Sequence, residues 1–431
     1  MKKVLIITYY WPPAGGPGVQ RWLNFVKYLG EFNIQPVVYI PANADYPLLD
    51  PSLGEVVPAD VQIIKNRIFE PYFLARVFSK KETSAISSGI IAEAQSQGFL
   101  QKLLLYIRGN FFIPDARKFW VKPSVKYLKS FIEENKIDTI ITTGPPHSIH
   151  LIGKNLKETL DVTWIADFRD PWTTIGYHHK LKLTESSESE HKKFEQQVLD
   201  EASCIITTSF TTKAEFENKT KTPVHLLTNG FEFEHTEDIP LDKKFSIAHI
   251  GSLLSGRDPK NLWKVLGELV KDNKGFKNDF QLKLVGAVSN EVLQSIQAHG
   301  LKNNINLKGY VSHREALRIQ RSSQVLLLIE INSAETRGII PGKLFEYIAA
   351  KRPILALGPE KWDVERILYE TGSGNCFNYS EFEDLKYRIL SYYQLFQKDL
   401  LRSEPKNIEK YTRRNLTGKL AEIIANPRKV Q

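Results

Sequence analysis

In GIIPGKLFEYIAAKRPILALG, residues 338–358, a lysine and a glutamate stand three positions apart behind a Pro-Gly pair. If KLFEYIAA is helical, Lys343 and Glu346 share one face about a turn apart. A helix start attracts anions, because its first amides lack partners within the helix and its dipole is positive there. Lys343 would strengthen such a phosphate site, and Glu346 would accept hydrogen bonds from the two hydroxyls of a ribose. An ordinary i, i+3 salt bridge has the same spelling. Local pattern leaves both open.

Three further stretches carry chemistry. In HIGSLLSGRDPKNL (249–262), Arg257 has the fork to grip phosphate oxygens and Lys260 adds a point charge, unless both are exposed turn residues. In YYWPPAGGPGVQRW (9–22), Gly15, Gly16 and Gly18 allow backbone to approach a ligand closely. Their spacing is neither the G-x-G-x-x-G of dinucleotide enzymes nor a P-loop, and no acid closes the second strand to hold a ribose. In TGPPHS (143–148) and DFRDPW (167–172), His147 and the adjacent pair Arg169 and Asp170 follow strands and stand on loops at their ends.

These residues need a scaffold. The chain has 431 residues, more than one core usually organises, so two domains are expected. KVLIITY, IQPVVYI, IDTIITTG, VTWIADF and ASCIITTS read as strands separated by helical stretches, the alternation of a doubly wound parallel sheet. The alternation restarts at FSIAHIGSLL (245–254) and continues through DFQLKLVGA, NINLKGY, QVLLLIE and PILALG. The organisation read here is an N-terminal domain over 1–230, a linker over 231–244, a second domain over 245–405 and a terminal helix within 406–431. That helix either closes its own domain or crosses back to the first. The fold class is α/β, two tandem Rossmann-like doubly wound domains facing a cleft, since such sheets bind ligands beyond their strand ends.

Charge and cysteine content narrow the partners. A net charge of +9 points to an anion: nucleic acid, a phosphorylated small substrate, or an anionic membrane surface. No nucleic-acid-binding signature is present. Cys204 and Cys376 lack metal-ligand spacing, so no metal site is read, and a reducing compartment fits them. The opening MKKVLIITYYWPP reads as a first strand, not a secretion signal. Residues 66–125 alternate aromatics with Arg and Lys, which suits either a lipid-facing surface or packed crossover helices with basic outer faces.

YYWPPAGGPG, TGPPHS, DFRDPW, HIGSLLSGRDP, PGKLFEYIAAKRPILAL and YTRRNLTGKLAEII together resemble the GT-B-fold glycosyltransferases, specifically the family 4 type of bacterial surface-polysaccharide synthesis. The resemblance covers nearly the whole chain. It implies transfer of a sugar from a nucleoside-diphosphate sugar to a glycan or lipid-linked acceptor, with retention of configuration and without cofactor or metal. It also implies a cytoplasmic location, on the inner face of the membrane if the basic region meets lipid. Glu346 resembles the second glutamate of the family's E-x7-E motif, and Arg257 one of the basic pair that holds the diphosphate. Lys343 would lie close to that diphosphate, and Gly15 and Gly16 match the family's glycine loop. The motif's first glutamate would fall at 338, where this chain has Gly338; Glu335 is the candidate to replace it. Where many family members have a histidine after the fifth strand this chain has Arg169 and Asp170, so the resemblance makes His147 the acceptor contact, unless it is a buried structural histidine, and Asp170 an acceptor-orienting or base residue, unless it bridges to Arg169. A nucleotide-sugar epimerase, a phosphorylase of the same fold and a non-catalytic nucleotide-sugar-binding protein are the alternatives, and oligomeric state is left open.

Overall fold

The computed structural model describes residues 1–70, 99–176, 178–233 and 239–429. The chain divides into two compact units, Met1–Asn229 with Arg413–Gln431, and Gly230–Thr412.

The first unit is built on a seven-stranded sheet: β1 (Lys2–Ile7), β2 (Ile34–Pro41), β3 (Gln62–Asn66), β4 (Thr139–Gly144), β5 (Thr163–Phe168), β6 (Cys204–Thr207) and β7 (Val224–Leu226). Every pairing is parallel, in the order β3-β2-β1-β4-β5-β6-β7. Parallel strands are covered on both faces, so they read as continuous apolar runs such as VLII and WIA rather than alternating ones. The connecting helices are α1 (Pro17–Leu29), α2 (Phe99–Phe111), α3 (Lys118–Asn135), α4 (Ser148–Thr159), α5 (Glu185–Glu201) and α6 (Phe210–Lys219). On one face Trp22 and Phe25 of α1 share a core with Ile6, Ile141 and Ile165; on the other, Trp120 and Leu128 of α3 and Ile152 of α4 pack with Ile7 and Ile140. Each such side chain contributes about 1.5–3 kcal/mol by leaving water.

The second unit carries β8 (Phe245–Ile250), α7 (Lys260–Asp272), α8 (Lys274–Asp279), β9 (Phe280–Val285), α9 (Asn290–Ala298), β10 (Ile305–Gly309), α10 (His313–Ser322), β11 (Val325–Ile329), α11 (Lys343–Ala349), β12 (Ile354–Gly358), α12 (Asp363–Thr371), β13 (Gly374–Asn378) and α13 (Phe382–Phe396). Its sheet is parallel in the order β10-β9-β8-β11-β12-β13. In both sheets the winding reverses at one place, between β1 and β4 and between β8 and β11. At such switch points the loops part and leave a crevice above the strand ends.

The closing helix α14 (Arg413–Ala425) belongs to the first unit, where Leu416, Leu420, Ile423 and Ile424 join the core beneath α1. The stretch 66–125 ends within α3, which buries Trp120, Val121, Leu128 and Ile132 and turns Lys122, Lys126 and Lys129 outward. Residues 71–98 of that stretch, and 234–238 of the expected linker, lie outside the described residues. Among the described residues no helix is long and apolar enough to cross a membrane.

Candidate functional site

In the second unit, the loops after β8 and β11 bring Lys343, Arg257 and an acid together. Gly251 follows β8 with φ +122°, a conformation that L side chains rarely adopt, and its amide donates to the Val285 carbonyl at 2.8 Å. A Cβ there would stand 3.1 Å from Nζ of Lys343, so glycine leaves the lysine its place. Lys343 Nζ donates to the Ile250 carbonyl at 3.1 Å, and no carboxylate lies within ion-pair distance of it among the described residues. Burial, and then the neighbouring Arg257 charge, lower its pKa to about 8, against the opposing pull of Glu330 and Glu346. Lys343, half-buried and with a carbonyl as its hydrogen-bond partner, has thus lost part of its solvation with no carboxylate in direct contact among the described residues.

Arg257 is oriented by Glu330, which ends the apolar run of β11 and is 1% exposed. Nε donates to Oε1 at 3.0 Å and Nη2 to Oε2 at 3.2 Å, a bidentate fork. Glu330 Oε1 also accepts the Ile331 amide at 2.9 Å. Arg257 Nη1 has no protein partner among the described residues, so one edge of the guanidinium is fixed and another remains to meet a ligand. Glu330 was not singled out in the sequence; an acid closing an apolar strand was the available signal.

The other expected residues of this unit fall at different depths. Glu346 lies on α11 and accepts from Nε2 of the buried Gln320 at 3.0 Å, which holds one carboxylate oxygen. Lys260 begins α7 and is exposed. Glu335 is exposed on the short turn Ala334–Thr336, with its amide donating to Ser333 Oγ at 3.3 Å. The α11 start is a weaker anion site than a full helix offers. The helix has seven residues, and the amides of Leu344 and Phe345 already donate to the Pro341 and Gly342 carbonyls.

In the first unit the glycine loop has structural work. Gly15 donates its amide to the Leu48 carbonyl at 3.0 Å, and Gly16, at φ +104°, caps α1. At Gly18 a Cβ would overlap the Arg169 guanidinium, which lies over the first turn of α1. Arg169 does not bridge to Asp170: it donates to the Gly144 carbonyl at 3.2 Å and to that of Pro145. Asp170 is half-buried and has no hydrogen-bond partner among the described residues. Burial raises its pKa, with Arg169 pulling down and Asp167 pushing up. Asp167, fully buried, ties α1, β4 and β5 together by accepting from Arg21 at 3.0 Å, Trp22 at 2.8 Å and Thr143 at 2.8 Å.

His147, just past β4, is 7% exposed and stacks on Trp172 with ring centroids 4.9 Å apart and planes 7° from parallel. It borders a cavity of about 130 Å³ whose wall includes Tyr10, Asp115, Arg117, Trp172 and His191. Trp172 Nε1 donates to Nδ1 of His191 at 3.1 Å, which places the His191 proton on Nε2. Burial lowers the pKa of His191 to about 4 and that of His150 to about 3, and holds His147 well below the usual histidine value.

Neither a family model nor a curated protein sequence matches the chain. Solved structures do, end to end. Trehalose-6-phosphate synthase OtsA superposes with a TM-score of 0.62 at 10% identity, over 99% of both chains. HepE of Anabaena, in complex with UDP-glucose, gives 0.60 at 12% identity, over 99% of this chain and 100% of that one. Sucrose-phosphate synthase of Thermosynechococcus elongatus gives 0.58 at 13%, over 99% of both. The fold is GT-B. Lys343, Arg257 and Glu330 stand at the switch point of the second sheet, Tyr10 and His147 at that of the first. Among the described residues no group of three or more His, Cys, Asp or Glu is arranged to hold a metal ion.

Proposed function

We propose that the protein is a family 4-type, retaining, metal-independent glycosyltransferase. Its second unit takes a nucleoside-diphosphate sugar and its first unit a glycan or lipid-linked acceptor of surface-polysaccharide synthesis. The observation that carries this reading is Lys343, a partly desolvated cation with no carboxylate in ion-pair contact among the described residues, beside an Arg257 that Glu330 holds in a fixed orientation. As the glycosidic bond breaks, the departing nucleoside diphosphate gains negative charge. Positive groups already in place stabilise it without reorganising. Glu346, with one oxygen held by Gln320, suits the hydroxyls of a ribose. On the acceptor side a hydroxyl must lose its proton, and Asp170, whose pKa is raised by burial, is the carboxylate suited to receive it.

A cytoplasmic enzyme docked on an anionic membrane surface fits the same reading. Phe119 and Tyr127 of α3, which also carries the outward lysines, and Tyr106 and Phe111 of α2 are exposed, and the net charge is +9. Cosedimentation with phosphatidylglycerol vesicles, but not with phosphatidylcholine vesicles, is the expected result; equal recovery from both would remove lipid from the account.

Product analysis tests the reaction. Free nucleoside diphosphate should accumulate only when donor and an acceptor extract are both present, with the sugar recovered on the acceptor. Interconversion of nucleotide sugars without acceptor would instead make the protein an epimerase.

A further inference from the structure

The second sheet parts at its switch point, and side chains take over where the backbone ladder stops. β8 pairs with β9 along its whole length, Phe245 to Ile250, whereas its pairing with β11 covers Ile247 and Ala248 and ends there. Buried backbone groups released by such a parting need other partners. His249, fully buried, has Nδ1 3.0 Å from the Leu327 carbonyl on β11. A carbonyl only accepts, so that nitrogen carries the proton. The Ile250 amide donates to the hydroxyl of Tyr347 at 3.0 Å.

Tyr347 is fully buried and stands one turn after Lys343 on α11, so the two share a helix face. Both side chains end on the same residue of β8. Tyr347 takes the Ile250 N–H, and Lys343 Nζ donates to the Ile250 carbonyl at 3.1 Å. That carbonyl belongs to the next peptide, whose Gly251 amide donates to Val285 of β9 at 2.8 Å. The two peptides flanking the Ile250 α-carbon are thus each fixed, one by Tyr347 and the other by Val285, and the carbonyl faces the lysine. Resting on the assignment of the donor diphosphate to Lys343, we infer that Tyr347 is a positioning residue for that lysine: by holding the Ile250 amide it fixes the carbonyl on which the ammonium rests, and so sets where the positive charge stands before any ligand arrives.

A lysine carries a point charge on a flexible stem, so a fixed hydrogen-bond partner decides its position. The other groups that face Lys343 act on it through space: the charges of Arg257, Glu330 and Glu346, and the ring of His249, which burial keeps neutral. A hydroxyl that only satisfied a buried amide would stabilise the fold and leave the lysine's behaviour alone. Convergence of phenol and ammonium on one residue couples them.

The test is a double-mutant cycle in the full chain, with Tyr347→Phe, Lys343→Met and the two combined, titrated calorimetrically at pH 7 with UDP, GDP and ADP and with their nucleosides. Tyr347→Phe removes a single oxygen. For the diphosphate that binds best it should weaken binding about fivefold or more, with the nucleoside changed by less than about twofold; in the Lys343→Met background the same change should cost less than about twofold. Equal losses in both backgrounds would overturn the inference, because a purely structural hydroxyl adds its effect whatever side chain lies beside it. NMR of chain labelled with carbon-13 at lysine Cε needs no ligand. In wild type Lys343 should be ordered on the nanosecond scale and titrate at about 8; in Tyr347→Phe it should be mobile and titrate higher, as the released ammonium regains water. A wild-type Lys343 as mobile as surface lysines would overturn the inference even if Tyr347→Phe failed to fold. Mobility gained in Tyr347→Phe, with diphosphate binding that Lys343→Met leaves unchanged, would keep the positioning role and defeat the donor reading. Diphosphate binding lost in Lys343→Met but intact in Tyr347→Phe would keep the donor reading and overturn the role of Tyr347.

Discussion

Arg257 and Glu330, 73 residues apart in sequence, form a two-point fork at 3.0 and 3.2 Å that fixes the guanidinium plane at the end of the second sheet. The pair joins the loop after β8 to the end of β11, so it holds the switch point together and orients the cation at once. Burying a carboxylate is costly, and the fork together with the Ile331 amide offsets that cost.

Replacing Glu330 by Gln keeps one acceptor but loses the charge and half the fork. Unfolding free energy should fall by about 1–3 kcal/mol, measured by urea denaturation. Binding of a nucleoside diphosphate should weaken more than binding of the nucleoside, because Arg257 loses its orientation. Unchanged stability and unchanged diphosphate affinity would show that the fork orients nothing.

Lys343 titrates near the working range, with its pKa at about 8. The charged form binds phosphate, so affinity should fall as pH rises through 8; from pH 7 to pH 9 the protonated fraction drops about tenfold, and Kd should rise by a similar factor. Calorimetry in buffers of different ionisation enthalpy should show proton uptake on binding above pH 8. Lys343→Met should bind weakly at every pH with a flat profile. A wild-type profile that is itself flat from pH 7 to 9 would contradict the role.

Buried neutral histidines make the first unit acid-sensitive. Because the folded pKa values of His150 and His191 are lowered, to about 3 and about 4, the unfolded chain takes up protons near pH 6.5 that the folded chain refuses. Their contribution is fully present above pH 6.5 and is lost as pH falls toward those values. Between pH 7.5 and 5 each should cost about 2 kcal/mol, read from urea midpoints. Stability that does not fall over this interval would mean that these rings take up protons in the folded state.

Glu346→Gln tests the ribose contact. A ribonucleoside diphosphate should bind about tenfold more weakly to the variant, while a 2′,3′-dideoxynucleoside diphosphate should be affected by less than about threefold. Equal losses for both ligands would move Glu346 away from the sugar.

Much of the scaffold was legible because its strands are buried on both faces. VLII, IITT and VLLLI leave few alternatives, and the second start at Phe245 marks a second sheet. Helix α5 was not legible, since ESSESEHKKFEQQVLDE buries only a thin stripe, Ser187, His191, Glu195, Val198 and Leu199. Edge strand β13, GNCFN, has too little apolar content to stand out. At the site, Lys343 and Arg257 were visible as residue types near strand ends, whereas Glu330 acquires meaning only when β8 and β11 become neighbours. The same holds for the cavity, where Tyr10, His147 and Trp172 come from loops after three different strands. Asp170 and Arg169 are adjacent in sequence, yet Arg169 turns to the Gly144 and Pro145 carbonyls and leaves the carboxylate without a hydrogen bond among the described residues.

The central claim is that Lys343 and Arg257 hold the diphosphate of a nucleotide donor. Isothermal titration of UDP, GDP and ADP, each against its own nucleoside, measures it directly on wild type and Lys343→Met at pH 7. For at least one base, the diphosphate should bind about a hundredfold or more tighter than the nucleoside, and the variant should close that gap by about tenfold or more. Diphosphate and nucleoside binding with equal affinity, or a gap untouched by Lys343→Met, would contradict the account.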